Sequence, residues 1–300
     1  MVKLDLDIPE DFYKEEVRCG YTVTETMKKV WAVEMDLMVK LLDICKKYDL
    51  RIFMDGGSLI GTVRDKGFIP WDDDIDLIMF RKDYDRLCEV APGELKPPYF
   101  FQNYYTDKGY THGHSQLRNS ETTAILNSEL EKGKRKKYNQ GIFVDIFVLD
   151  GVEDDPGIIE KQKDKMFRYK RFMHYIYGDS RPGGIKGKLM LAKFKLFHTS
   201  AIKYAKKIED ELRSHSIEKC EFCAPLGYIF DTEYRVRNKH SYDETIWLPF
   251  EFLTVPAPAG YDENLKRTYG DYMKPAKAPT DHGGVFFDPE RPYREYIEKE

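Results

Sequence analysis

The sequence predicts an α/β or α+β protein, a core of strands and helices with a further helical region attached. Three observations carry that expectation. A long stretch of helical periodicity near the N-terminus gives way to short apolar runs punctuated by Gly, Pro and Asn. The strongest of these runs, Gly141–Asp150, reads as a strand buried on both faces. Beyond it the chain returns to long, lysine-rich helical patterns.

Taken in order, residues 1–24 read as a loosely ordered lead-in with a short helical piece. From Thr24 to Tyr48, Met27, Val30, Trp31, Met35, Leu37, Met38, Leu41, Leu42, Cys45 and Tyr48 recur at three- and four-residue spacing. That pattern is a core-facing helix with Thr24 as its N-cap. Arg51–Met54 is a strand, Gly56-Gly57-Ser58 a turn, and Leu59–Arg64 a helix starting on that turn. Asp74–Phe80 is a second strand, Lys82–Val90 a short helix, and Pro92–Pro98 a loop. Tyr99–Tyr104 is a third strand, and His114–Arg118 with Thr122–Leu126 form a hairpin around Asn119-Ser120-Glu121. Glu131–Lys137 is a basic polar loop leading into Gly141–Asp150.

Ile158–Tyr177 and Lys186–Glu211 read as helices. Lys186, Lys188, Lys193, Lys195, Lys203, Lys206 and Lys207 make the second basic and amphipathic. Such a helix suits an anionic membrane surface, or a core face with a solvated basic back. Short strands and aromatic loops occupy 225–260, Glu263–Tyr269 is a last short helix, and a Pro- and Gly-rich tail follows Pro275. The expected organisation is a lead-in (1–24), a core of strands and helices (25–150), a helical region with a basic face (151–215) and a C-terminal region (216–300).

The 300 residues are ample for a sizeable core, and 33% charged with 41% hydrophobic residues excludes a disordered chain. A net charge of −4 argues against a general nucleic-acid binder, which is normally strongly basic. The opening MVKLDLDIPEDFYKEE carries acids where a signal peptide needs a basic region and an apolar run, so a cytoplasmic protein is expected. Five scattered cysteines fit reduced thiols. Only Cys220-x-x-Cys223 has metal-like spacing, and zinc there would need two more ligands, with His215 and His240 the nearby choices. Plain buried thiols are the expectation.

The chemistry concentrates in Asp55–Phe80, DGGSLIGTVRDKGFIPWDDDIDLIMF. Asp72, Asp73, Asp74 and Asp76 repel one another unless something positive joins them. Side chains on a strand alternate, so Asp74 and Asp76 share one face with Ile75 and Leu77 opposite. Paired carboxylates of this kind suit Mg²⁺, which takes one or two protein carboxylates plus waters and phosphate oxygens. Asp145 interrupts an apolar strand and is the candidate third acid, as metal ligand or proton acceptor. Asp150 marks the strand end and is a cap or loop residue. The glycines before Ser58 permit close backbone approach, and amides at a helix start suit phosphate, which makes Gly57 and Ser58 candidate substrate contacts. A calcium loop is excluded, because Leu77 and Asp83 stand where an EF-hand needs Gly and Glu.

Gly-Gly-Ser followed by Asp-x-Asp on a strand, with a later acid on another strand, resembles the nucleotidyltransferase superfamily of polymerase-beta type. Within it, GSLIGTVRDKGFIPWDDDIDL closely resembles the LicD family of phosphotransferases, to which the fukutin group is related. QLRNSETTAIL, GIFVDIFVLD and VPAPAGYDENLKRTYGDYM extend the likeness over most of the chain, whereas 151–245 matches only in being helical. The resemblance implies a nucleotidyltransferase-type fold with Mg²⁺ at Asp74, Asp76 and, as third acid, Asp145. It implies transfer of phosphocholine from CDP-choline, or a related CDP-alcohol, to a glycan acceptor that is often lipid-linked, and with the basic helix the expected place is the cytoplasm, at the inner face of the membrane. Arg64 falls in the family's Gly-x-x-Arg position and Arg118 in its Leu-Arg pair, both candidate diphosphate ligands. Trp71 is a candidate wall for choline, and His282 is the one histidine of a segment that is often histidine-rich in the family. Transfer of a nucleoside monophosphate to a small acceptor, or a non-catalytic glycan-binding module, are the alternatives.

Overall fold

The chain enters through a 3₁₀ turn, Glu10–Tyr13, and a hairpin of β1 (Glu16–Arg18) and β2 (Tyr21–Val23). In this computed structural model residues 2–131, 136, 138–153, 155–227, 235–276 and 284–297 are described. Helix α1 (Glu25–Lys47) begins where the sequence places it, with the Thr24 side chain accepting from Met27 N–H. Its apolar face is buried, and two of its buried polar side chains, Asp36 and Lys28, are tied to neighbouring elements. Asp36 accepts from the backbone of Asp5 and Leu6 and from Tyr99 Oη, which ties the lead-in down. Lys28 pairs with Glu16 on β1.

Next come β3 (Phe53–Met54), α2 (Gly56–Ile60), a π-helical turn (Gly61–Asp65) and β4 (Asp76–Phe80). The helix therefore starts at Gly56, inside the segment read as a turn, and Asp74 lies just ahead of the strand it was expected to begin. Helix α3 (Arg81–Glu94) runs past Pro92, because a proline in the last turn forfeits only one helical hydrogen bond. Strands β5 (Tyr99–Gln102), β6 (Ser115–Asn119) and β7 (Thr123–Leu126) precede α4 (Asn127–Glu131) and β8 (Ile142–Val152). The expected hairpin between the segments of β6 and β7 does not form. β6 pairs antiparallel with β5 on one edge and β8 on the other, so β7 has no edge left there. Most of the loop read at Glu131–Lys137 lies outside the described residues.

Helix α5 (Pro156–Tyr177) is capped by Asp155, which accepts from Gly157 and Ile158 N–H, and stops at Gly178 with positive φ. The single helix expected from Lys186 is two, α6 (Gly184–Leu196) and α7 (Ile202–Leu212). His198, at φ 45°, takes the left-handed position that ends α6. Thr199 N–H then bonds Phe194 O and His198 N–H bonds Lys195 O, closing the last turn. β9 (Phe222–Ala224), β10 (Arg237–Asn238), the hairpin β11 (Thr245–Phe250) and β12 (Leu253–Pro258), α8 (Tyr261–Tyr269), β13 (Val285–Asp288) and α9 (Arg294–Ile297) complete the fold. β13 pairs with β7, and His282 lies outside the described residues.

β8 is the spine of a seven-stranded mixed sheet. One edge carries β4 in parallel, followed by β3 antiparallel to β4. Its other edge carries β6 along Ile142–Ile146 and β9 along Asp150–Val152, with β10 outside β9. Leu77, Met79, Val144, Ile146 and Val148 enter the main core with α1, while Ile78, Phe147 and Leu149 form a smaller cluster with Phe53, Cys223 and Tyr242. Asp150, read as a cap or loop residue, is a strand residue whose carboxylate receives Arg81 Nε and Nη2, each at 2.7 Å. Truncating Arg81 to Ala leaves that buried carboxylate alone, and a loss of about 3 kcal/mol in urea unfolding is expected. A loss below about 1 kcal/mol, the range of surface pairs, would contradict the assigned role.

Candidate active site

The parallel register of β4 and β8 sets Asp76 directly opposite Asp145. Alternation then puts Asp76 with Ile78, and Asp145 with Phe147 and Leu149, on the face away from α1. Asp74 joins them from the segment ahead of β4. One carboxylate oxygen from each of Asp74, Asp76 and Asp145 falls within 4.8 Å of the others, and Asp72, Asp73 and Asp74 form a second such set.

Several contacts hold the acids in place. Ser58 Oγ accepts Asp76 N–H at 2.8 Å and donates to Asp74 O at 3.4 Å, pinning the acid-bearing segment to α2. Trp31 Nε1 on α1 donates to Asp72 O at 3.1 Å. Asp145 Oδ1 accepts from Gln116 Nε2 at 2.6 Å and stands 3.1 Å from His114 Nε2. Gly56 and Gly57 let α2 start against the carboxylates. A Cβ on Gly56 would lie 2.7 Å from Asp76 Oδ2, and one on Gly57 2.5 Å from Asp72 Oδ2. Asp55 occupies the N-cap position of α2 but makes no capping bond. Its carboxylate is taken by Arg237, with Nη1 at 2.6 Å and Nη2 at 3.1 Å, and Arg237 Nη1 also bonds Tyr242 Oη.

The electrostatics follow from this crowding. Burial first, then Asp76, Asp72 and Asp145, hold the Asp74 carboxyl well above its ordinary range. Burial first, then Asp145 and Asp55, do the same for Asp76, against a smaller opposing pull from Arg235. Asp72 is pushed up to about 6 by burial and Asp73. Glu34 of α1 is 1% exposed, and Oε2 has no hydrogen-bond partner. Burial and then Asp73 raise its carboxyl well above the ordinary value. An all-oxygen donor set that resists ionising without a counter-charge fits a hard divalent cation such as Mg²⁺, held by Asp74, Asp76 and Asp145.

The other residues singled out by sequence fall into two groups. Gly57, Ser58 and Trp71 lie at the acids or next to them in the chain, and Trp71 meets Tyr21 edge-on at 6.2 Å between ring centroids. The two arginines are committed elsewhere. Arg64 binds Asp65 and donates to Tyr272 O at 3.0 Å. Arg118 is 5% exposed, donates to Gln102 Oε1, Gly141 O and Gln116 Oε1, and lies over the Phe143 ring at 4.6 Å. It supports Asp145 through Gln116. As for zinc, Cys223 Sγ points to Arg237 O, His215 Nδ1 is 3.1 Å from Glu153, and His240 Nδ1 is 2.8 Å from Asp243. Among the described residues only the two acid sets group three or more metal-ligating side chains.

Sequence reasoning missed Glu34, Asp55, His114, Gln116, Arg235 and Arg237. A signal existed for four of them. His114, Gln116 and Arg118 are polar at every second position of a buried strand, and Arg235 and Arg237 repeat that spacing.

Residues 49–175 match the family model described as LicD/FKTN/FKRP, nucleotidyltransferase domain. They form a LicD-family domain. All of the aspartates of the site lie within it, whereas Glu34, Arg235 and Arg237 lie outside. Over 275 residues the chain is 28% identical to the lipopolysaccharide cholinephosphotransferase LicD of Haemophilus influenzae, covering 83% of this chain and 93% of that protein. A second relative, the uncharacterized protein RP689 of Rickettsia prowazekii, is 23% identical over 148 residues, 49% of this chain and 50% of that one. Among the described residues no helix of this chain is long and apolar enough to cross a membrane.

The raised carboxyls make a pH-dependent prediction for the LicD domain. Above the ordinary value of 3.8 and up to its raised folded value, Asp76 binds more protons folded than unfolded, so its contribution to stability falls as pH rises through that window. In EDTA, Asp76→Asn should therefore melt higher than the parent at about pH 7.5, with the gap closing toward about pH 4. Magnesium at a hundredfold excess over Kd should stabilise the parent by about 2.7 kcal/mol and leave the variant unmoved. A parent melting temperature indifferent to Mg²⁺ would remove the metal assignment.

Proposed function

We propose that this enzyme is a Mg²⁺-dependent phosphotransferase of the LicD type. It moves phosphocholine, or a similar phospho-alcohol, from CDP-choline to a hydroxyl of a cell-surface glycan or its lipid-linked precursor. The observation that carries the reading is the parallel register placing Asp76 beside Asp145, with Asp74 in reach and the start of α2 against them. Likeness over 93% of a protein named as a lipopolysaccharide cholinephosphotransferase supports the substrate class. The work is placed at the cytoplasmic face of the membrane, where a lipid-linked acceptor is met.

When bound, the metal supplies charge neutralisation at the diphosphate and at the departing oxygen. The acceptor oxygen forms a bond to the phosphorus that carries the alcohol, and the bond from that phosphorus to the CMP oxygen breaks. CMP departs with the bonding pair, and the acceptor hydroxyl loses its proton to a base. Asp145 serves as metal ligand or as that base, with Gln116 and His114 fixing its carboxylate. Gly56 and Gly57 bring the start of α2 directly against the Asp76 and Asp72 carboxylates. The Trp71–Tyr21 pair offers an apolar aromatic wall to a quaternary ammonium.

Labelled CDP-choline tests the reading directly. Release of CMP with label in the acceptor is expected, whereas a nucleotidylated acceptor would replace this proposal with the rival transfer. Asp76→Ala should lower kcat/KM at least about a hundredfold, as losses of charge-stabilising groups do, while the far-UV circular dichroism stays that of the parent. Near-normal turnover in that variant would remove the site from the reaction.

A further inference from the structure

Helix α6 turns an apolar stripe away from the protein. Ile185, Leu189, Ala192 and Leu196 follow one another at steps of four, three and four residues, and at about 100° per residue they fall within about 60° of arc. Ile185 is 79% exposed, Leu189 65% and Leu196 72%, and Phe197, just beyond the helix end, is 67% exposed. The opposite side of α6 packs inward: Gly187 is buried, and Phe194 meets Phe172 of α5 at 5.9 Å and Tyr204 of α7 at 6.0 Å between ring centroids.

The charges are arranged around the same stripe. By the helical angle Lys186 and Lys193 flank it on one side, and Lys188 and Lys195 on the other. All four are exposed, none makes an ion pair among the described residues, and α6 contains no Asp or Glu. This local charge of +4 sits in a chain whose net charge is −4. An aliphatic strip between two rows of long basic side chains matches the boundary of an anionic bilayer, where the strip enters the acyl region and the lysines reach back to phosphates. A second copy fits poorly, since two-fold pairing of this face would set lysine rows against lysine rows.

We infer that α6 is a membrane-surface helix, and that Ile185, Leu189, Leu196 and Phe197, with their flanking lysines, dock the protein on anionic lipid. The inference stands on exposure and charge alone and does not depend on the reaction assigned to the acid site. Its test reads lipid binding and needs neither donor nor acceptor.

The full chain is sedimented with vesicles of phosphatidylcholine alone or with added phosphatidylglycerol. Binding to the anionic vesicles only is expected, and it should weaken as salt is raised. Since each basic residue near an anionic surface contributes about fivefold in affinity, reversing Lys186 and Lys193 to Glu should cost at least about twentyfold. Leu189→Asp with Leu196→Asp should abolish binding while leaving the thermal melt unchanged, because both side chains are exposed. No binding by the parent, undiminished binding by the Asp variant, or a parent dimer that this variant dissociates would each overturn the inference.

Discussion

Mutual repulsion among Asp72, Asp74, Asp76 and Asp145 is the constraint around which this structure is arranged. Each carboxylate is held above its ordinary range, or sits beside others that are, because protein walls replace the water that would separate their charges. A fold keeps such a set together only if backbone geometry does what electrostatics opposes. Here the β4–β8 register does it for Asp76 and Asp145, the Ser58 hydroxyl for the segment carrying Asp74, and the Trp31 indole for Asp72.

The positive groups around the site are placed so as not to quench it. Arg237 binds Asp55, Arg64 binds Asp65, and Arg118 donates to carbonyl and amide oxygens. Arg235 is a charge that favours ionised Asp76, and its pull is smaller than the burial and carboxylate effects opposing it. The carboxylates therefore keep their mutual repulsion, the condition that the proposed Mg²⁺ would relieve.

What the sequence revealed follows from how local each determinant is. The α1 boundaries depended on a cap and a periodic face, both contained in the segment itself, and they fell where expected. The two-residue alternation read for Asp74 and Asp76 held only for Asp76, because β4 starts there and Asp74 reaches the same set from the segment ahead of the strand. Edge pairing is not local: the segments of β6 and β7 have hairpin chemistry between them, yet β8 and β5 claim both edges of β6. The break between α6 and α7 was missed because His198 takes a backbone conformation that Gly usually supplies. Arg118 illustrates the limit of motif reading, since its residue type suits phosphate while its surroundings assign it to Gln116. Glu34 and Asp55 were out of reach because the groups they face lie in other elements, and nothing in the neighbouring residues marks them.

The Asp55–Arg237 pair spans 182 positions of chain, and β9 and β10 join the spine only after the whole α5–α7 insertion has been traversed. A ribosome making this protein releases the acid-bearing strands long before the arginine that secures the start of α2. The unfinished chain must then carry its repelling carboxylates without that clamp. Closing so distant a contact is entropically slow, so maturation of the site waits on the last third of the polypeptide.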